Sequence, residues 1–287
     1  MRRRLASLAL LSLASCAGEV SSISPDPGPP TETSTPAPAP LPAATPEFVE
    51  EKPAKAPGAI PGVTAQAPKK DEVIPAEKSA DFEIKFSLRG WTLKEGGNGV
   101  HLILDNRRVR AIHDPKRKLK LGDFTGGKPL DEGFHLLAIL PVYPSGESVK
   151  PTKFRSPAAI LPFYVGKKTE PTWKDKEPLL LLNAPASGKI PPAGALFDVY
   201  LVNAELARGK VVLHASISGP DLAKGESISQ WKPWRVKNAR PGEYLTKVEL
   251  FHYVPDSFES GSSVSVNLVS KPMPGKWTSV TREFILE

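Results

Sequence analysis

From Ala80 onward the chain is a series of period-two alternations and β-rich apolar runs, and this pattern restricts it to β-structure. Phe82, Ile84, Phe86 and Leu88 alternate with polar neighbours, Val100 to Leu104 forms a second run ending in an Asp105-Asn106 turn, and Phe134 to Leu140 and Ala159 to Val165 are two more. A second series follows at Leu179 to Leu182, Leu196 to Val202, Lys210 to Ile217, Tyr244 to Tyr253, Val264 to Val269 and Thr281 to Leu286. Successive side chains of a strand point to opposite faces, so such runs present one face to a core and the other to water. No long helical period interrupts them. The expected fold is all-β, with two tandem antiparallel β-sandwich modules over 80–167 and 176–287. A polar Lys/Thr/Pro linker from Gly166 to Glu177 separates them.

The two halves share a local pattern. Leu130-Asp-Glu-Gly133-Phe-His135 leads into one alternating strand, and Ala239-Arg-Pro-Gly242-Glu-Tyr244 leads into another. In each, a glycine permits a tight turn and a ring-bearing residue follows two positions later. This resembles the Gly-x-Tyr corner of immunoglobulin-like domains, in which the tyrosine hydroxyl bonds the backbone upstream. The resemblance implies immunoglobulin-like modules.

The N-terminal quarter is of a different kind. Arg2-Arg3-Arg4 precedes a short apolar run from Leu5 to Leu13, and the run ends in Leu13-Ala14-Ser15-Cys16. It is about half the length that a bilayer-spanning helix needs, which makes 1–15 a cleaved secretory signal. An aliphatic residue, two small residues and then cysteine is the lipobox pattern, and here the chain resembles bacterial lipoproteins. That resemblance implies a diacylglyceryl group on the Cys16 thiol, further acylation of the new amino terminus, and a lipid-anchored protein. With Ala17 rather than Asp after the cysteine it implies the outer membrane, the folded portion facing the periplasm or the cell surface. Two or three acyl chains hold a protein stably at a membrane, where one does not.

Fourteen of the 32 prolines fall between Ser21 and Pro75. A stretch so poor in aromatic residues buries too little apolar surface to offset its ordering entropy. Residues 16–79 are therefore expected as a disordered, extended Pro/Ala-rich tether that lifts the folded portion off the membrane. Sixty such residues span roughly 45 Å as a coil and up to about 190 Å as polyproline II. Cys16 is the only cysteine, so no intramolecular disulfide staples the folded portion.

The formal charge is +7, and loss of the three signal arginines leaves +4, a mild excess that does not imply nucleic acid. The positive charge is concentrated in Arg107, Arg108, Arg110, Lys116, Arg117, Lys118 and Lys120. Such a cluster suits an anionic envelope polymer or lipid headgroups, or is a solvated loop. Trp231-Lys-Pro-Trp234-Arg235 pairs two indoles with two cations, a combination that stacks on sugars, anchors a protein partner, or packs in a core. His101 and Asp105 share a strand face, and His135 lies on another strand of the same module, ahead of Glu147 and Ser148. Convergence would make a metal or hydrolytic site, while the bland reading gives His135 the corner role and Asp105-Asn106 the turn.

The likeness extends to an uncharacterised group of bacterial envelope proteins, over most of Phe86 to Glu287. It is carried by His101 to Asp105-Asn106, Gly133-Phe-His135-Leu-Leu137, Glu147-Ser148-Val149-Lys150, Asn203-Ala-Glu-Leu206 and Trp231-Lys-Pro233, with one residue fewer before Lys150 than the group's pattern. It implies architecture and no activity. No phosphate-binding glycine loop, zinc-protease helix or Gly-x-Ser-x-Gly elbow is present. The expected function is that of a membrane-anchored, non-enzymatic binding or scaffolding lipoprotein of the cell envelope. Its only prosthetic group would be the lipid on Cys16, and its partner an anionic polymer, a lipid headgroup or another envelope protein. The alternatives are a small hydrolytic or metal-dependent enzyme built on His101, Asp105 and His135, and a purely structural spacer.

Overall fold

The computed structural model describes residues 45–287, apart from 154, 192–194, 221 and 261–262 and from the side chains of 255–268. Cys16, the signal over 1–15 and the tether up to 44 lie outside the described residues. In chain order the strands are β1 (Glu47–Glu50), β2 (Gly62–Ala67), β3 (Val73–Ile74), β4 (Glu83–Arg89), β5 (Gly99–Leu104), β6 (Arg108–Ile112), β7 (Leu119–Lys120), β8 (Gly133–Val142) and β9 (Ala159–Val165). They continue with β10 (Leu179–Ala184), β11 (Gly188–Ile190), β12 (Leu196–Val202), β13 (Val211–Gly219), β14 (Leu222–Ile228), β15 (Trp234–Lys237), β16 (Gly242–Ser260), β17 (Ser263–Pro272) and β18 (Ser279–Leu286). The all-β class is as expected, and the strand pairings are antiparallel except for β3 with β9 and β11 with β18.

Four sheets make two sandwich-like layers. In the first, the sheet β2-β4-β7 faces the sheet β3-β9-β8-β5-β6 across a core that includes Ile84, Leu102, Phe124, Leu137, Ile139 and Phe163. In the second, β1-β15-β12-β10 faces β11-β18-β16-β13-β14, with Leu180, Leu182, Phe197, Leu213 and Val248 between them. Beyond Tyr253, β16 pairs only with β17 and the two form a ribbon.

The tether expectation needs correction from residue 45 onward. The segment 45–79 supplies three strands: β1 pairs with β15 in the second sandwich, β2 with β4 and β3 with β9 in the first. Phe48 supplies one reason, because its ring stacks on Trp234 at 4.9 Å and meets Phe197 edge-on at 5.6 Å. Lys232 and Arg235 pair with Glu50 and Glu51 alongside it. The prolines lie between these strands rather than within them, so they break no ladder. The chain therefore straps one sandwich to the other.

The modular boundary also needs correction. Strands β8 and β10 are buried along almost their whole length, on both faces. Leu137 and Ile139 of β8 enter the core of the first sandwich, whereas Leu136, Ala138 and Leu140 pack with Leu179, Leu181 and Tyr200 of the second. The linker expected over Gly166 to Glu177 contributes Trp173, which is buried in this same shared cluster. Burial on both faces is why 136–140 and 179–182 read as unbroken apolar runs rather than as alternation. Residues Ala43–Glu287 form one compact unit with a hydrophobic weld at its centre.

Candidate functional site: a cation-rimmed groove

The corner residues set the frame. Gly133 and Gly242 adopt φ of 121° and 149°, a region that favours glycine. Two positions on, His135 Nε2 lies 2.7 Å from the Asp131 carbonyl, and the Tyr244 hydroxyl donates to the Arg240 carbonyl at 2.9 Å. Each ring thus bonds the carbonyl four residues upstream, and histidine does in the first sandwich what tyrosine does in the second.

Of the three residues weighed for chemistry, the fold brings two together. His135 Nδ1 is 2.7 Å from Asp105 Oδ2, while Asp105 Oδ1 accepts from the Leu136 amide at 2.9 Å. Burial disfavours the charged imidazole, but the hydrogen bond and field of Asp105 outweigh it and raise the His135 pKa above its ordinary value. His101 is elsewhere. It sits opposite Leu140 in the β5–β8 register, five residues along β8 from His135, or about 17 Å at the usual rise. Its Nδ1 meets Asn183 Oδ1 at 2.7 Å, and burial lowers its pKa. Ser148 is likewise distant, donating to Asp198 Oδ2 at 2.7 Å. The three-residue constellation is not assembled, and among the described residues no group of three or more His, Cys, Asp or Glu is disposed to hold a metal ion.

Asn183 and Ser148 belong to a buried network that sequence reading missed. Asp198, fully buried, accepts from Ser148, from Asn183 Nδ2 at 2.8 Å and from Lys150 Nζ at 2.5 Å. Lys150 also reaches the Val199 carbonyl at 2.6 Å and lies over the Trp231 ring at 4.5 Å. Burial pulls its pKa down, and Asp198 opposes that shift. A buried carboxylate needs partners of this kind. The network ties the 147–150 loop of the first sandwich to β10 and β12 of the second.

The cation cluster divides by location. Arg107 turns toward the junction of the sandwiches, beside Asp131 and Glu132. Arg108 and Arg110 alternate along β6, an edge strand, and donate to the carbonyls of Phe124 and Asp123. Lys120 pairs with Asp81 at 2.8 Å. Lys116, Arg117 and Lys118 line one wall of a groove of about 660 Å³ at the open side of the first sandwich. The opposite wall is β4, with Lys85 on its rim, and Phe86, Leu88, Trp91, Leu93 and Ile112 provide apolar lining. Glu83 lies 3.7 Å from both Lys85 and Lys118, and Asp114 is the other carboxylate there. Among the described residues, the Lys116 and Arg117 side chains make no ion pair.

Trp231 and Trp234 lie outside this groove and are partly buried against the core of the second sandwich. Trp234 is covered by Phe48, and Trp231 by Lys150 and Phe197. No family model matches this chain, and a search of curated proteins gives no match either.

Proposed function

We propose that this chain is a membrane-anchored, non-enzymatic binding lipoprotein of the bacterial envelope. In this reading Cys16 carries the lipid, the outer membrane is the site of anchoring, and two immunoglobulin-like modules present the binding face. The paired corners at His135 and Tyr244 support the immunoglobulin-like reading. Because the sandwiches are welded, they present that face as one compact unit rather than as two beads.

The observation that carries the binding reading is the groove, in which apolar surface left open at the side of a sandwich is rimmed by four cations against two carboxylates. A well-covered core does not leave a phenylalanine and two leucines part-exposed beneath lysines without something to cover them. Its ligand is an anionic component of the envelope, whether polymer, lipid headgroup or acidic stretch of another protein. Two measurements test this. Cys16→Ser should abolish fatty-acid labelling and move the protein from the membrane pellet to the soluble fraction. Charge reversal at Lys116 and Arg117 should abolish retention of the full-length protein on anionic vesicles, acidic glycan and acidic peptide alike. Unchanged retention on all of them would remove the groove from the reading.

A further inference from the structure

The backbone along the groove narrows the ligand further. Strand β4 pairs with β2 from Lys85 to Arg89 on one side, but on the other side it pairs with β7 only at Glu83 and Ile84. The Leu121 amide donates to the Phe82 carbonyl at 3.0 Å, which continues that ladder and fixes its phase. In an antiparallel pair alternate residues direct both backbone polar groups to the same side. Phe82, Ile84, Phe86 and Leu88 therefore turn their N–H and C=O groups toward β7. The chain departs from β4 before Lys118, so the groups of Phe86 and Leu88 open into the groove with no partner strand among the described residues. Their side chains, on the same face as buried Ile84, are part-exposed for the same reason. Among the described residues, the sheet lacks a strand there.

We infer that the groove takes a strand: an extended segment of a partner protein that adds to the free edge of β4, placing apolar residues over Phe86 and Leu88 and carboxylates against Lys85, Lys116, Arg117 and Lys118. The inference rests on the binding reading above and names the ligand class of that same site. An acyl chain would cover the apolar lining but leave the β4 amides and carbonyls unpaired, and a glycan or headgroup would meet the cations but not the apolar lining. An extended peptide satisfies the edge, the lining and the rim together. The open stretch, Lys85 to Arg89, is about 17 Å long, which suits some five residues with alternating side chains. Edge strands left open are normally blunted by charge or by covering. Here the lysines stand on the rim while the edge itself stays accessible.

The probe is a synthetic peptide alternating valine and glutamate, added to the full-length protein in non-ionic detergent. Backbone hydrogen exchange is followed at Phe86 and Leu88. Two controls accompany it: peptides N-methylated at alternate residues in either phase, and phosphatidylcholine vesicles with and without phosphatidylglycerol. The peptide should bind and slow exchange at both amides, and methylation in one phase should weaken binding by about tenfold or more, as loss of two backbone bonds implies. K116E/K118E should weaken it as well, with circular dichroism and melting unchanged. Absence of binding, binding without protection of Phe86 and Leu88, or equal binding of both methylated peptides would overturn strand addition. Charge-dependent binding to phosphatidylglycerol vesicles in those cases would leave the binding reading standing, while indifference of every anionic probe to charge reversal would end both.

Discussion

Arg282 of β18 donates from Nη2 to the Asn106 carbonyl at 2.9 Å, joining the last strand of the second sandwich to a turn of the first. Its Nη1 donates to the carbonyls of Leu182 and Pro185 at 2.7 and 2.8 Å. Asn106, in a left-handed conformation with φ of 56°, sends its amide Nδ2 to the Leu180 carbonyl and accepts at Oδ1 from the Leu182 amide. That side chain thereby adds a rung to the edge of β10. Both residues are buried.

Replacing Arg282 with methionine keeps the volume and removes every donor. Burial lowers the guanidinium pKa to about 10 but leaves it charged at neutral pH. Three buried carbonyls lose their partner, with an expected cost of about 3 kcal/mol. Urea unfolding measures it. A loss under about half a kcal/mol would mean that water replaces the guanidinium.

His135 and His101 give opposite pH dependences. His135 has a folded-state pKa raised above its unfolded value, so its contribution is fully present below about pH 6.5 and is lost as pH rises through the folded pKa. The stability of wild type minus that of His135→Gln should therefore fall as pH rises above about 6.5. His101 has a lowered pKa, so it destabilises the fold as pH drops below about 6.5, where the unfolded chain takes up the proton. The stability difference between wild type and His101→Gln should shrink on acidification. Denaturant titrations from pH 5 to pH 9 distinguish the two signs.

The corner bonds are testable one at a time. Tyr244→Phe keeps the ring stacked on Phe284 at 5.4 Å and removes only the hydroxyl that bonds Arg240. The expected loss is about 1 kcal/mol by chemical denaturation. His135→Phe should cost more, because Asp105 Oδ2 would lose its partner as well.

Phe48→Ala should release the strap. It removes a half-buried ring between Trp234 and Phe197, worth about 1–2 kcal/mol. Limited proteolysis should then cut within 45–55 while the remainder of the protein resists. Equal protease resistance in the variant would show that the Glu50 and Glu51 ion pairs hold β1 without the ring.

Sequence reading located every strand whose alternation or apolar run was long. Those expected near Phe82, Val100, Phe134, Ala159, Leu179, Leu196, Lys210, Tyr244, Val264 and Thr281 are β4, β5, β8, β9, β10, β12, β13, β16, β17 and β18. It passed over β6 and β7, hidden in a charge cluster, and over β15, hidden in the Trp-Lys-Pro-Trp segment. It also passed over β11 and β14, the two ends of one sheet, and over β1 to β3, whose prolines read as a tether. These are short or edge strands that draw their stability from a neighbour, so their own residues carry little pattern. Of the candidate site, the cations were legible as a charge cluster, but their division into paired, carbonyl-bound and groove-facing members was not. The free edge of β4 was not legible at all.

What the sequence by itself determined was which residues avoid water and where the chain must turn: the period-two runs, the two Gly-x-ring corners and the Asp105-Asn106 turn. Only the tertiary structure decided what covers each apolar face, and so whether the two sandwiches stand separate or weld through Leu136, Leu140, Leu179 and Leu181. The physical reason is that burial is a property of a residue and its period, whereas a partner is a property of distance in space. A side chain such as Asn106 carries no mark of the strand, 74 residues away, whose edge it closes.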